Sequence, residues 1–250
     1  MMVYQKIVKS KDLGKKLFAL LIDPDRLDAT QTVVMAGMAA EYGVDLILVG
    51  SSLLTGDYLK RTISLLKAHT DLPVLLFPGS NMQLSPLADS LLLLSLISGR
   101  NADFLIGKHV ESAGVIKQMG LEVIPTGYML IDPGHPTSVS YMSGTNPIPH
   151  DKHDIAAATA LAGEQLGKKL IYMDAGSGAR NAISSMTVAA VRQVVKLPIV
   201  VGGGIKSPER AISLLQAGAD VLVVGNAIEK DPGLIAAMSA AIHGFTIESR

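Results

Sequence analysis

The 250-residue chain carries 22 basic and 22 acidic side chains, a formal net charge of zero, with no basic stripe or like-charge tail, which argues against nucleic acid as a partner. It has no cysteine, so disulfides, thiolate catalysis and zinc–cysteine sites are excluded. At 48% hydrophobic residues and a mean hydropathy of +0.37, it can fill a large core or reserve apolar surface for a greasy ligand or a subunit partner.

In chain order, Met1 to Lys16 is polar and lacks the apolar segment of a signal peptide. Short apolar runs then recur, with strands expected to start at Leu17, Asp45, Pro73, Leu91, Leu121, Lys169, Pro198 and Asp220. They are continuously apolar rather than alternating, as parallel strands buried on both faces require. Leu91–Ile97 is the most apolar of them and is too short to cross a bilayer, so a cytoplasmic protein without stable membrane insertion is expected. The segments Thr30–Tyr42, Tyr58–His69, Asp103–Met119 and Pro208–Ala217 read as helices; Ser207 and Pro208 form a helix start and Gly218 a stop.

Eight strands alternating with helices, and no linker or composition break, imply one (β/α)8 TIM barrel over residues 1–250. Only 18 residues separate the strand starts at Pro73 and Leu91, and Pro86 interrupts them, so the third crossover helix is expected to be degenerate or missing. The step from Leu121 to Lys169 instead spans 48 residues and holds a Gly-, Pro- and Ser-rich loop from Gly127 to His150.

Barrel active sites lie at the C-terminal strand ends. Gly202-Gly203-Gly204 after the seventh strand and Gly225-Asn226 after the eighth have the character of a phosphate site, where glycine admits backbone amides to phosphate oxygens and a helix start near Ser207 adds partial positive charge. Asp174-Ala175-Gly176-Ser177-Gly178 ends the sixth strand, and Asp174 is placed either to accept a proton or to cap the next helix. Asp23-Pro24-Asp25-Arg26 ends the first. A lone carboxylate there suits Mg2+ held mainly by substrate phosphates, and Asp23 or Asp25 as a helix cap is the alternative. His150, Asp151, His153 and Asp154 read as polar neighbours of a helix start rather than as ligands; His69, His109 and His243 fall on helices and are assigned no role.

Taken together, Leu21–Asp25, Val49–Ser52, Leu76–Gly79, Tyr172–Gly178, Val201–Ile205 and Val224–Asn226 resemble the geranylgeranylglyceryl phosphate synthases, (β/α)8 prenyltransferases that form the first ether bond of archaeal-type lipids. The resemblance runs from about Leu17 to Lys230. It implies Mg2+ at Asp23 and Ser52. It implies sn-glycerol 1-phosphate at Tyr172, Met173, Asp174, Ala175, Gly176, Ser177, Gly178, Gly203, Gly204, Gly225 and Asn226, with Asp174 as the catalytic base. A prenyl diphosphate such as geranylgeranyl diphosphate is the implied second substrate, in an apolar groove to which Phe104 and Tyr128 are candidates. Many members carry glutamate where Asp174 stands. One branch has lysine where this chain has Leu21, so the chain looks more like the other branch, whose members form dimers or larger homo-oligomers. The competing readings are another barrel enzyme on a phosphorylated metabolite, which would need a strand-tip lysine or paired acids, and a non-catalytic ligand-binding barrel.

Overall fold

The computed structural model describes residues 2–246; residue 1 and residues 247–250 of the expected domain lie outside the described residues. Eight parallel strands close into a barrel in sequence order: β1 (Leu17–Ile22), β2 (Leu46–Val49), β3 (Val74–Leu76), β4 (Ser90–Leu96), β5 (Glu122–Leu130), β6 (Leu170–Asp174), β7 (Ile199–Gly202) and β8 (Val221–Val224). Each begins within one residue of its expected start. Closure pairs Leu17 with Val221 and Leu20 with Val224, so the last strand lies beside the first.

Strand alternation divides the apolar residues into two cores. Leu17, Ala19, Leu46, Leu48, Leu75, Leu92, Tyr172, Val200, Val221 and Val223 fill the barrel. Phe18, Leu20, Ile22, Ile47, Val49, Leu76, Met173, Val201 and Leu222 face the helical layer. Most strand positions on both faces are therefore buried, which is why the runs read as continuously apolar.

The helical layer comprises α2 (Ala29–Glu41), α3 (Leu59–His69), α4 (Lys108–Met119), α6 (His153–Gln165), α7 (Ser185–Val194), α8 (Pro208–Gln216) and α10 (Leu234–His243). The sequence did not announce α1 (Val3–Asp12). Its Val3 and Ile7 join the inner core and close the N-terminal end of the barrel. The amides of Val3 and Tyr4 donate to the Glu122 carboxylate at 2.6 and 2.9 Å, an acid supplied from β5 to a helix that has none in its first turn.

No helix joins β3 to β4; the connection consists of turns, as expected. Gln83, 1% exposed, braces it: Nε2 donates to Ser51 O at 2.8 Å, and Oε1 accepts from the amides of Ser51 and Gly79, both at 3.2 Å. The region expected as one helix over Asp103–Met119 starts with a π-helical turn, Asp103–Gly107, before α4. The expected loop from Gly127 is shorter, because β5 continues to Leu130; the remainder contains α5 (Ser138–Ser143) and a bridge from Ile131 to Ile148.

Candidate active site

One cavity of about 690 Å³ occupies the C-terminal end of the barrel and continues outward over β4. Asp23, Ser52, Tyr172, Asp174, Gly176, Ser177, Gly178, Gly203, Gly204, Gly225 and Asn226 all line it. Met173 and Ala175 do not. With a side-chain period of two, Tyr172 and Asp174 point into the barrel, while Met173 and Ala175 pack among the helices.

The glycine loops after β6, β7 and β8 form one end. Gly203 has φ of 80°, and a Cβ there would lie 2.9 Å from Asp174 Oδ1, Gly176 N and Gly176 O. Glycine is thus required both by the left-handed backbone and by the β6 loop pressed against it. Ser177 Oγ lies 3.2 Å from Asn226 Oδ1, tying the β6 loop to the β8 loop. The helix that follows a glycine turn directly into the cavity is α9 (Asn226–Lys230). Ser207 caps α8, accepting from the Arg210 amide, in a shallow hollow with Arg180, Asn181 and Arg210 that shares Gly204 and Lys206 with the cavity.

Asp174 stands at the centre, 7% exposed. Tyr128 donates to its Oδ2 at 2.6 Å and the Gly176 amide to its Oδ1 at 2.7 Å. It does not cap α7, whose cap is Ser184. Burial pushes the Asp174 carboxyl above the usual range, and the two donors counteract it. Phe77 stacks on Tyr172 with centroids 4.8 Å apart, and Tyr128 lies 5.9 and 5.6 Å from those rings, so an aromatic floor separates the cavity from the barrel interior.

The next wall is acidic. Asp23 Oδ1 accepts from the Asp25 amide at 3.1 Å and Oδ2 from Ser51 Oγ at 2.9 Å. Neither Asp23 nor Asp25 caps α2. Asp28 does so, in a reciprocal capping box with Gln31, which leaves Asp23 to the cavity. Asp25 Oδ2 holds the Thr55 amide and hydroxyl, while its buried Oδ1 has no partner. Carboxylate and hydroxyl oxygens of Asp23, Asp25, Ser51 and Ser52 suit a hard divalent cation. No group of three or more His, Cys, Asp or Glu that could hold a metal occurs among the described residues, so such an ion would take most of its ligands from phosphate and water.

The last wall is apolar. Because no helix covers β3 and β4, the cavity runs over Leu84, Leu91, Leu93, Phe104 and Ile116 between β4 and α4. Phe104 and Tyr128 both line the cavity, and Tyr128 also donates its hydroxyl to Asp174. His109 was set aside in the sequence as a helical residue, yet it lines the groove, with Nε2 3.2 Å from Ser95 Oγ. His153 opens α6 and contacts Thr187 Oγ1 at 2.8 Å, a packing role rather than a ligand role. Sequence reasoning missed Arg26 and Glu229 as cavity residues and Tyr128 as the partner of Asp174. Only the Asp-Pro-Asp-Arg turn at the first strand tip signalled any of them.

The PcrB family profile matches residues 7–243. A geranylgeranylglyceryl phosphate synthase of Spirosoma linguale is 52% identical over 232 residues, covering 93% of each chain. One of Chitinophaga pinensis is 50% identical over 241 residues, covering 96% of each. Among solved structures, the (S)-3-O-geranylgeranylglyceryl phosphate synthase of Thermoplasma acidophilum, in complex with its substrate sn-glycerol-1-phosphate, superposes with a TM-score of 0.93 at 32% identity, over 98% of this chain and 100% of that one. The tryptophan synthase alpha subunit of Legionella pneumophila, at 18% identity and a TM-score of 0.59, shares the barrel fold alone.

Proposed function

The chain belongs to the PcrB family, and from that premise we propose that its cavity makes geranylgeranylglyceryl phosphate from sn-glycerol 1-phosphate and a long-chain prenyl diphosphate. The observation that carries this reading is the continuity of one cavity from glycine loops, past strand-tip carboxylates, into an apolar groove. A small phosphate ester fits the first part and an amphiphile with an anionic head and a hydrocarbon tail fits the other two. Neither a sugar-phosphate enzyme nor a plain phosphate binder needs the groove.

In the reaction, the bond between prenyl C1 and the diphosphate oxygen breaks, and the diphosphate leaves with the electron pair. The glycerol hydroxyl oxygen bonds to C1 and its proton departs. The loops Gly176–Gly178, Gly203–Gly204 and Gly225–Asn226 hold the phosphate by backbone amides and so fix the hydroxyl. Asp174, oriented by Tyr128 and Gly176, is the carboxylate placed to take the proton. Asp23 and Ser52, with Ser51 against Asp23, would hold Mg2+, which when bound neutralises charge on the leaving diphosphate. The groove keeps the tail from water. No helix among the described residues is long and apolar enough to cross a membrane. Self-association into a dimer or larger homo-oligomer belongs to the same reading, with exposed Ile106 and Val110, one helical turn apart, as surface for a second copy; sedimentation tests it.

The deciding experiment compares initial rates with pure sn-glycerol 1-phosphate and sn-glycerol 3-phosphate, with saturating geranylgeranyl diphosphate and Mg2+. Once the phosphate is anchored, the two enantiomers cannot offer the same hydroxyl without leaving a buried polar group unpaired, at about 1–3 kcal/mol. A preference of roughly tenfold or more for the 1-phosphate is expected. Equal rates, or the reverse preference, overturn the proposal while leaving the phosphate site in place.

A further inference from the structure

Arg26 holds a position that neither the glycine loops nor the groove explains. It follows Asp23 in the turn leaving β1, and its guanidinium spans two carboxylates. Nε lies 3.3 Å from Asp23 Oδ2, and Nη1 lies 3.3 Å from Glu229 Oε2. Glu229 sits on α9, just beyond Asn226, so this bridge crosses the β8–β1 seam and links the acidic wall to the phosphate loops. All three side chains line the cavity.

The two acids and the cation differ in freedom. Asp23 and Glu229 side chains are 16% and 11% exposed, whereas Arg26 is 48% exposed. The acids are therefore fixed and the guanidinium is the partner with room to turn. Burial, with Asp23 adding to it, raises the Glu229 carboxyl above its usual range, and Arg26 opposes that. Arg26 is the cation paired with this acid.

The same wall must receive a diphosphate, yet Asp23, Asp25 and Glu229 all line it and repel one. Arg26, Lys108, Lys206 and Lys230 are the lysines and arginines on the cavity wall. Among the described residues Arg26 alone pairs with Asp23, while the Lys108 ammonium lies 5.2 Å over the Phe104 ring. A guanidinium fork that satisfies carboxylate oxygens has the geometry to satisfy phosphate oxygens as well.

We propose that Arg26 is a diphosphate-binding residue and that Glu229 is its resting counter-ion. When prenyl diphosphate enters, the guanidinium exchanges Glu229 for diphosphate oxygens; when inorganic diphosphate leaves, it returns. Glu229 acts through Arg26 as a positioning residue. It competes with the diphosphate and shortens its stay. This inference rests on the reading that the cavity takes a prenyl diphosphate.

The test is calorimetric titration of inorganic diphosphate with Mg2+ into the parent protein, Arg26→Gln, Arg26→Lys and Glu229→Gln, with sn-glycerol 1-phosphate as control ligand. Arg26→Gln is expected to lose about tenfold or more in diphosphate affinity, the loss of a charge-assisted pair, while glycerol phosphate affinity stays within about twofold. Arg26→Lys, which keeps the charge and loses the fork, falls between. Glu229→Gln is expected to bind diphosphate more tightly, by roughly threefold to tenfold, because a competitor has gone. Unchanged affinity in Arg26→Gln, or weaker binding in Glu229→Gln, overturns the inference and leaves Arg26 as a latch between loops. A parent protein that binds glycerol phosphate but neither diphosphate nor prenyl diphosphate overturns the underlying reading as well.

Discussion

The hydroxyl of Tyr128 and the carboxylate of Asp174 are joined at 2.6 Å across adjacent strands, inside a site where Asp174 is 7% exposed. Register makes the pair: Tyr128 lies beside Tyr172 and Leu130 beside Asp174, so in-facing side chains of β5 and β6 meet at the cavity floor. The donor lowers the carboxyl that burial raises. Tyr128→Phe removes it without changing shape much. The acid limb of the kcat/KM profile is expected to move to higher pH, with a lower plateau rate. An unmoved limb would mean that Asp174 is not the titrating base.

Asp174 also carries a stability consequence, with a definite sign. A carboxyl raised in the folded state contributes most at low pH, and that contribution is lost as pH rises from the unfolded value through the folded one. At neutral pH the ionised form is a burden on the fold. Asp174→Asn is therefore expected to abolish turnover while melting no lower than the parent at pH 7, and relatively less stably at pH 4. Thermal melts at both values check it.

The β7 glycine turn makes a sharper claim. At Gly203 an added Cβ meets backbone atoms of Gly176 at 2.9 Å, with φ at 80°, so neither loop can give way cheaply. Gly203→Ala is expected to weaken sn-glycerol 1-phosphate binding by more than about tenfold, with the barrel still folded, since left-handed strain alone is worth about 1–2 kcal/mol. Titration calorimetry and circular dichroism read the two parts. Parental affinity in the variant would falsify the phosphate assignment.

Asp23→Asn separates the two ends of the cavity. Its carboxylate accepts from Ser51 and Asp25 rather than from any amide of the glycine loops. Turnover with Mg2+ is expected to vanish, and glycerol phosphate affinity to stay within about twofold, because removing one charge at that end leaves the backbone cradle intact. Chelating the metal from the parent protein should reproduce the same split.

The groove gives a prediction by size. Ser112 is buried in its α4 wall, one turn before Ile116. Ser112→Phe puts a ring into the path of the tail. The KM for geranylgeranyl diphosphate is expected to rise roughly tenfold, in line with overpacking costs of about 1–3 kcal/mol, and that for the shorter geranyl diphosphate to rise less. Equal effects on both would place the tail elsewhere.

His243 tests a contact far from the site. Its Nε2 lies 2.9 Å from Asp45 Oδ2, and that hydrogen bond raises the imidazole above its usual range despite burial. Such a group stabilises fully below the unfolded-state value and loses its contribution as pH rises through the folded one. His243→Gln should therefore lower the melting temperature at pH 5.5 more than at pH 9. Equal losses at both would exclude the ionised pair.

The strands were legible because most are buried on both faces, so that even Leu46–Val49 and Val221–Val224 stand out as apolar runs of four residues. The missing helix was legible because covalent spacing leaves no room for it between Leu76 and Ser90. Helix α1 was not, since Val3 and Ile7 are its only buried residues and their partners lie in remote strands. The glycine loops and Asp23 declared themselves by position at strand tips. Arg26 and Glu229 are 203 residues apart in sequence and meet only because β8 closes on β1. His109 lies on a helix as expected, and its place in the groove was not legible because a helix face that would be covered in a complete barrel is open in this one.

The absent crossover helix has a thermodynamic consequence as well as a spatial one. A tunnel roofed by a flexible loop would have to be ordered each time a substrate arrived, at about 1–2 kcal/mol for each backbone residue fixed. Here the walls are β4 and α4, regular elements held by their own hydrogen bonds, and Gln83 pins the bare connection beside them. Uptake of the tail should consequently show a negative heat-capacity change close to that of its buried apolar area, without the additional contribution of a folding lid.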